Sequence, residues 1–149
     1  MNIVKKIDQF NKDYIYFCDP IKNNIMTDGV FIRILYSNDI FIMNGVYLFI
    51  SFQSISIEKY YNKYRCNFDV NIHKEIIDKL KIIEEGILKK RIKNINKIPV
   101  FKIYEQLRNG NIKVFANSQE SIHNSFILKI SGIWETETNY GVTYKFSAI

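Results

Sequence analysis

The chain has 149 residues, of which 47% are hydrophobic and 24% charged, a balance that excludes a disordered chain. This length is enough for one domain with its own core, and we interpret residues 1–149 as a single domain. The longest apolar run, residues 40–52, is too short for a transmembrane helix, and the N-terminus lacks the apolar segment of a signal peptide. The two cysteines form no disulfide framework. We therefore expect an intracellular protein without membrane contacts.

The formal net charge is +6, and much of the positive charge lies in one stretch. Residues 86–115 contain eight Lys or Arg side chains and a single acid, Glu105. Such a concentration is typical of surfaces that bind nucleic-acid phosphates. The abundance of Ile, Lys and Asn, as in proteins of AT-rich genomes, offers another source for the lysines but does not explain their clustering. The eight bases are Lys89, Lys90, Arg91, Lys93, Lys97, Lys102, Arg108 and Lys113.

The N-terminal half is predicted to be β-structure. A short strand is expected before Pro20, and turn signals lie at Asn38-Asp39 and Asn44-Gly45. Three segments rich in β-branched and aromatic residues are predicted strands: "VFIRILY" from residue 30, "VYLFISFQSISI" from residue 46 and "KYRCNFDV" from residue 63.

An amphipathic helix is predicted over residues 73–91. Its apolar residues recur at spacings of 4, 3 and 4, which places them on one helical face. Acidic residues occur early and basic residues late, as the helix dipole favours. The apolar residues are Ile76, Leu80, Ile83 and Ile87.

The segment 101–117 predicts a β-hairpin that turns at Asn109-Gly110. One face would be apolar except for Glu105. The other would carry three bases, no acid and a cross-strand pair of Tyr104 with Phe115. Single-stranded nucleic acid stacks its bases on exposed aromatic rings while Lys and Arg hold its phosphates, although such a pair can also be purely structural. The second face consists of Lys102, Tyr104, Gln106, Arg108, Lys113 and Phe115.

A second hairpin is predicted over residues 126–146, with its turn in residues 136–139. Trp134, the one tryptophan, is either a stacking platform or the core anchor of this hairpin. In the first sheet, Arg33 shares a face with two apolar residues and forms a second candidate patch with Tyr47 and Phe49. The candidate nucleic-acid-binding residues are therefore Arg33, Lys102, Tyr104, Arg108, Lys113, Phe115, Trp134, Tyr144 and Lys145.

No catalytic or cofactor motif is present in the sequence. Cys18, Cys66, His73 and His123 lack the paired spacing of zinc ligands. We therefore expect a binding protein that is not an enzyme and that needs no cofactor or metal.

The order of strands, one late helix and more strands predicts a mainly β fold of the α+β type. An OB-like Greek-key barrel with one inserted amphipathic helix matches this order, and a sheet covered by one helix is the alternative. The segments "SGIWE" (residues 131–135) and "YGVTYKF" (residues 140–146) resemble the C-terminal strand pair of OB-fold single-stranded DNA-binding proteins of large cytoplasmic DNA viruses. The resemblance covers about 20 residues and implies a location in the host cytoplasm, at viral replication sites.

The leading hypothesis is a protein that binds single-stranded DNA without sequence specificity in replication, recombination or repair. The alternatives are a viral interaction or structural module that binds no nucleic acid, and an RNA-binding OB module. Besides DNA, the candidate partners are further copies of the chain, in a homo-oligomer or in cooperative assembly on DNA, and replication proteins. The chain ends "YKFSAI", without the acidic tail through which many replication proteins recruit partners.

Overall fold

Strands dominate the structure, as the sequence predicts. The computed structural model describes residues 4–22, 29–91 and 96–149. Two α-helices lie in these ranges, α1 (Lys74–Arg91) and α2 (Lys102–Arg108). The strands are β1 (Lys5–Lys6), β2 (Ile15–Phe17), β3 (Ile21–Lys22), β4 (Val30–Ser37), β5 (Ile42–Met43), β6 (Val46–Ser51), β7 (Ser56–Tyr60), β8 (Lys63–Asn67), β9 (Ile98–Val100), β10 (Asn111–Phe115), β11 (Ser125–Glu135) and β12 (Asn139–Ala148).

The strands form a mixed sheet in the order β1-β6-β11-β12-β10-β8-β7. β1 with β6, β10 with β12, and β9 with β12 are parallel pairs, whereas the other pairs are antiparallel. β4 pairs with β11 and carries β2, β3 and β5. Within the described residues β1 and β7 remain unpaired edges, so the sheet is not closed into a barrel. The OB-like barrel therefore stays a prediction.

The core lies on one face of this sheet, where alternate residues of the long strands are buried. The predicted hairpin over residues 126–146 is confirmed as β11 and β12, and its turn spans residues 136–138. Cys66 is buried in this core, and burial raises the pKa of its thiol to about 11, whereas Cys18 is half-buried. Neither described helix is long and apolar enough to cross a membrane.

Helix α1 confirms the predicted amphipathic helix. Leu80, Ile83 and Ile87 are buried against the sheet, as their spacing predicts. Ile76 is only partly buried, and Ile77 fills the core position in its place. A salt bridge from Lys79 to Asp8 ties the helix to the N-terminal segment, and Lys79 also pairs with Glu75 one turn earlier in the helix.

Gly86 lies inside α1, and nothing lies within 4 Å of the position that a Cβ would take. Glycine inside a helix costs about 0.8–1.0 kcal/mol relative to alanine, because the unfolded chain loses more backbone freedom. We expect Gly86→Ala to raise the free energy of unfolding by about 0.5–1 kcal/mol, measured by urea denaturation. A decrease would show that the helix needs glycine here for packing.

The predicted hairpin over residues 101–117 is wrong in its first half. Lys102–Arg108 forms α2, and only Asn111–Phe115 is a strand. Ile103 and Leu107 are both buried, and their spacing of four residues fits one face of a helix as well as one face of a strand. Glu105, which contradicted the strand pattern, is exposed on this helix.

The Asn109-Gly110 dipeptide ends α2 instead of turning a hairpin. Asn109 has helical backbone angles, and Gly110 follows with φ of +81°. The Gly110 N–H donates to the Leu107 carbonyl at 3.0 Å, and the Gly110 carbonyl accepts from the Phe68 N–H at 2.9 Å. A glycine in the left-handed region ends many helices and also forms type I′ turns, so the dipeptide itself does not distinguish the two.

The start of α2 is capped by a buried side chain from α1. The Glu84 carboxylate is 1% exposed and accepts the backbone N–H groups of Ile103 and Tyr104, both at 3.0 Å. These are among the first N–H groups of a helix, which have no partner within it. Burial raises the pKa of Glu84 to about 7, and the two N–H bonds partly offset this rise. Glu84 therefore links the two helices through a group whose charge is sensitive to pH.

Candidate nucleic-acid interface

A groove of about 520 Å³ opens between β10 and β12, beside α2. The two strands pair only at Val114 with Phe146 and at Phe115 with Ser147. Away from this short contact they diverge, and polar residues of α2 border the opening. We call this feature the basic groove, because five of its lining residues are bases and one, Glu105, is an acid. The bases are Lys63, Arg65, Lys102, Lys113 and Lys145.

Most of the positive charge in the basic groove is not neutralised by the protein. Arg65 pairs with Glu58 at 3.2 Å. No carboxylate among the described residues lies within ion-pair distance of the four lysines of the groove. In addition, Lys113 lies directly opposite Arg65 in the β10–β8 pair. Like charges opposite each other on neighbouring strands destabilise a sheet, and the salt bridge of Arg65 with Glu58 offsets part of this repulsion.

Phe115 provides an aromatic surface at the groove. Its side chain is 46% exposed, and the lysine ammonium groups of Lys63 and Lys145 lie 4.7 and 5.3 Å from its ring centroid. A second ring, that of Tyr60, lies 4.4 Å from the Arg65 guanidinium and 4.5 Å from the Lys113 ammonium. In the groove and beside it, cations therefore lie within about 6 Å of aromatic ring centroids, which is the range of cation–π interactions.

Lys63, Arg65 and Tyr60 were not among the predicted site residues. Lys63 and Arg65 line the groove because β8 pairs with β10, and Tyr60 lies beside Arg65 because β7 pairs with β8. The segment "KYRCNFDV" does alternate two bases on one face with Tyr64 and Cys66 on the other. That alternation predicts a basic strand face, but not its position beside β10, because the pairing joins strands separated by α1 and α2.

Tyr144 lines the groove but has a structural role. Its hydroxyl donates to the Gln106 side-chain oxygen at 2.7 Å, which connects β12 to α2. Burial raises the pKa of Tyr144 to about 12, with smaller contributions from the Glu84 and Glu105 charges. The phenol therefore stays protonated at neutral pH and holds one wall of the groove, with its ring packed edge-on against Phe146.

Trp134 lies just outside the basic groove and is half-buried. The Lys102 ammonium, which lines the groove, lies 5.3 Å from the Trp134 ring. The ring also covers Gly141, where a Cβ would lie only 2.7 Å from the indole. Trp134 therefore packs on the sheet beside a cation of the groove, and its role as a stacking platform stays a prediction.

Tyr104 and Arg108 do not join the groove, contrary to the predicted outer face of the hairpin. Each residue of a helix is rotated by about 100° from the one before, so α2 separates residues that a strand would align. The Tyr104 ring faces α1, with the Lys81 ammonium at 4.7 Å, and the Arg108 guanidinium lies 5.8 Å from the same ring. The predicted pair of Tyr104 with Phe115 does not form.

Arg33 is exposed on β4, opposite Gly132 of β11, and does not line the groove. The bases of residues 86–115 also do not lie together on one surface of the folded chain. Arg91 and Lys97 both pair with Glu135, at 3.3 and 3.2 Å. Lys93 lies outside the described residues. Of the seven described bases in that stretch, Lys102 and Lys113 line the basic groove.

No known protein family, curated protein or solved structure matches the chain. Among the described residues, no group of three His, Cys, Asp or Glu side chains is placed to hold a metal ion.

Proposed function

We propose that this chain binds single-stranded DNA without sequence preference and acts in replication, recombination or repair. The observation that carries the proposal is the basic groove, which is lined by Phe115 and by four lysines without ion-pair partners among the described residues. Two of these lysines, Lys63 and Lys145, lie 4.7 and 5.3 Å from the exposed Phe115 ring. The predicted residues Lys102, Lys113, Phe115, Tyr144 and Lys145 all line it.

The lysines would bind the phosphates of the strand. Each phosphate that a lysine neutralises releases a condensed counterion, and this release favours binding at low salt. Because Lys63, Lys102, Lys113 and Lys145 surround one opening, they can act on consecutive phosphates of the same strand. Four such contacts correspond to a slope of about −3 in a plot of log K against log salt.

Phe115 favours a single strand over a duplex. A base can stack on an exposed ring only if its own face is free, and in a duplex both faces are covered by neighbouring base pairs. Stacking of this kind contributes about 1–3 kcal/mol per base and tolerates every base, because each has a π-face. Stacking on Phe115 would therefore give affinity for single strands with little preference for their sequence.

The OB-like fold belongs to the same proposal. The order of strands and one main helix, and the C-terminal strand pair β11–β12, support it. The segments that resemble the viral DNA-binding proteins lie in these two strands, and Tyr144 and Lys145 from them line the groove. The unclosed order of the described sheet supports only the mainly β class.

The proposal is tested by fluorescence anisotropy with labelled dT12 and rU12 and a 12-base-pair duplex at several salt concentrations. We expect dT12 to bind more tightly than the duplex, with a log–log salt slope of about −3. Equal affinity for dT12 and duplex, or no binding at low salt, would contradict the proposal. Tighter binding of rU12 than of dT12 would replace DNA with RNA as the ligand, since the two strands differ at the 2′-hydroxyl.

A further inference from the structure

We propose that the bound strand leaves the basic groove at Lys145 and crosses the outer face of the sheet to Tyr47, over Lys129. This inference rests on the proposed function and adds a direction and two binding residues to it. The outer face is the side of the sheet opposite the buried core, and neither Lys129 nor Tyr47 lines the groove.

The strand register places these residues in one row. Lys145 of β12 lies opposite Lys129 of β11, and Lys129 lies opposite Tyr47 of β6. Five of the six residues that flank them along their strands are buried inner-face residues, Leu128, Ile130, Val46, Leu48 and Phe146, and the sixth, Tyr144, is half-buried. Because side chains alternate along a strand, Lys145, Lys129 and Tyr47 share the outer face. Lys145 is exposed there, whereas Lys129 and Tyr47 are half-buried, and Tyr47 also packs partly against the core.

The charges of the row are arranged as a path for a polyanion. Lys145 and Lys129 are a second pair of like charges directly opposite each other, in addition to Arg65 and Lys113. No described carboxylate pairs with Lys129, whose ammonium lies 5.4 Å from the Tyr47 ring. Of these charges only Arg65 has a carboxylate partner among the described residues, Glu58, so the lysines of the row favour a ligand with regularly spaced negative charges.

The length of the row corresponds to a few nucleotides beyond those held in the groove. Two strand spacings, about 10 Å in all, separate Lys145 from Tyr47. A strand stacked as in B-DNA, at about 3.4 Å per nucleotide, crosses this distance with about three nucleotides. At the end of the row Tyr47 lies beside Phe49, which is exposed, so the path ends on aromatic rings as it begins on Phe115.

The test compares dT5, whose four phosphates match the four lysines of the groove, with dT8, which also covers the row. We expect Lys129→Gln to weaken binding of dT8 about fivefold at 0.1 M salt, because one phosphate contact is lost, and to leave binding of dT5 unchanged. Tyr47→Leu should weaken dT8 by at least about fivefold through lost stacking, and Tyr47→Phe should restore it. Lys89→Gln, which removes an exposed charge from α1, serves as the matched control.

The stability of the free protein provides a second readout. Lys129→Gln removes a like-charge pair, so we expect the Tm of the unbound protein at low salt to stay the same or rise. If Lys129→Gln and Tyr47→Leu bind dT8 as the unmodified protein does, while groove variants lose binding, the path is wrong and the proposed function stands. If neither oligonucleotide binds the unmodified protein at low salt, the proposed function fails and the path with it.

Discussion

Replacing both Lys113 and Lys145 with glutamine is expected to weaken binding of dT12 about 25-fold at 0.1 M salt, because each lost phosphate contact removes about 0.7 log unit at that concentration. The log–log salt slope should become shallower by about 1.4. Both lysines line the basic groove from opposite strands, and neither has an ion-pair partner among the described residues. Anisotropy titrations at several salt concentrations measure both quantities.

The matched control replaces Lys74 and Lys89, which are exposed near the two ends of α1, with glutamine. It changes the net charge by the same amount but leaves the groove intact, so its affinity should stay within about twofold of the unmodified protein. The groove variant should also remain folded, because it removes the repulsion between Lys113 and Arg65. Equal losses in the two double variants would mean that net charge, and not the groove, determines binding.

The second large effect concerns stability and Glu84. Below about pH 4.5 this carboxyl is protonated in both the folded and the unfolded chain. Between pH 4.5 and about 7 the folded protein keeps the proton that the unfolded chain has lost, because burial has raised the pKa of Glu84. The folded state then binds more protons, so the free energy of unfolding falls as the pH rises through this window. The full fall corresponds to about 3 kcal/mol.

Glu84→Gln removes this titration and is expected to flatten the profile. Urea denaturation of both proteins from pH 4 to pH 8 gives the difference in their free energies of unfolding, in which the contributions of other groups cancel. Leu88→Ala, a buried and uncharged change in the same helix, is the control and should lower stability equally at each pH. A difference between the Glu84→Gln and unmodified profiles that does not change with pH would refute the linkage.

Local sequence patterns predicted those strands and helices in which the buried residues recur with the period of the element itself. β4, β8, β11 and β12 alternate, α1 repeats with a helical period, and each was predicted near its observed bounds. The single strand predicted over residues 46–57 is instead divided into β6 and β7. α2 was missed because the spacing of its apolar residues is ambiguous and its N-terminal cap comes from a residue far away in the sequence. Ile103 and Leu107 fit a strand or a helix, and the cap of the helix comes from Glu84, 19 residues before Ile103. Glu105 was the one local sign that the strand prediction was wrong.

For the site, too, local sequence patterns predicted some residues, whereas others are placed by pairing between distant segments. Lys113 and Phe115 were predicted on one strand face and are found there, because β10 is the half of the predicted hairpin that forms. Lys102 also reaches the groove, but from a helix. Tyr104 and Arg108 turn away with the helix, and Lys63 and Arg65 enter through a strand pairing that no local pattern encodes.

Titration of the ¹⁵N-labelled protein with dT12, followed through its backbone amide signals, shows where a single strand binds. We expect the largest shifts at Arg65, Lys113, Phe115 and Lys145, in and beside the basic groove, and little change along α1. Shifts concentrated on α1, with the signals of β8, β10 and β12 unchanged, would refute binding in the groove.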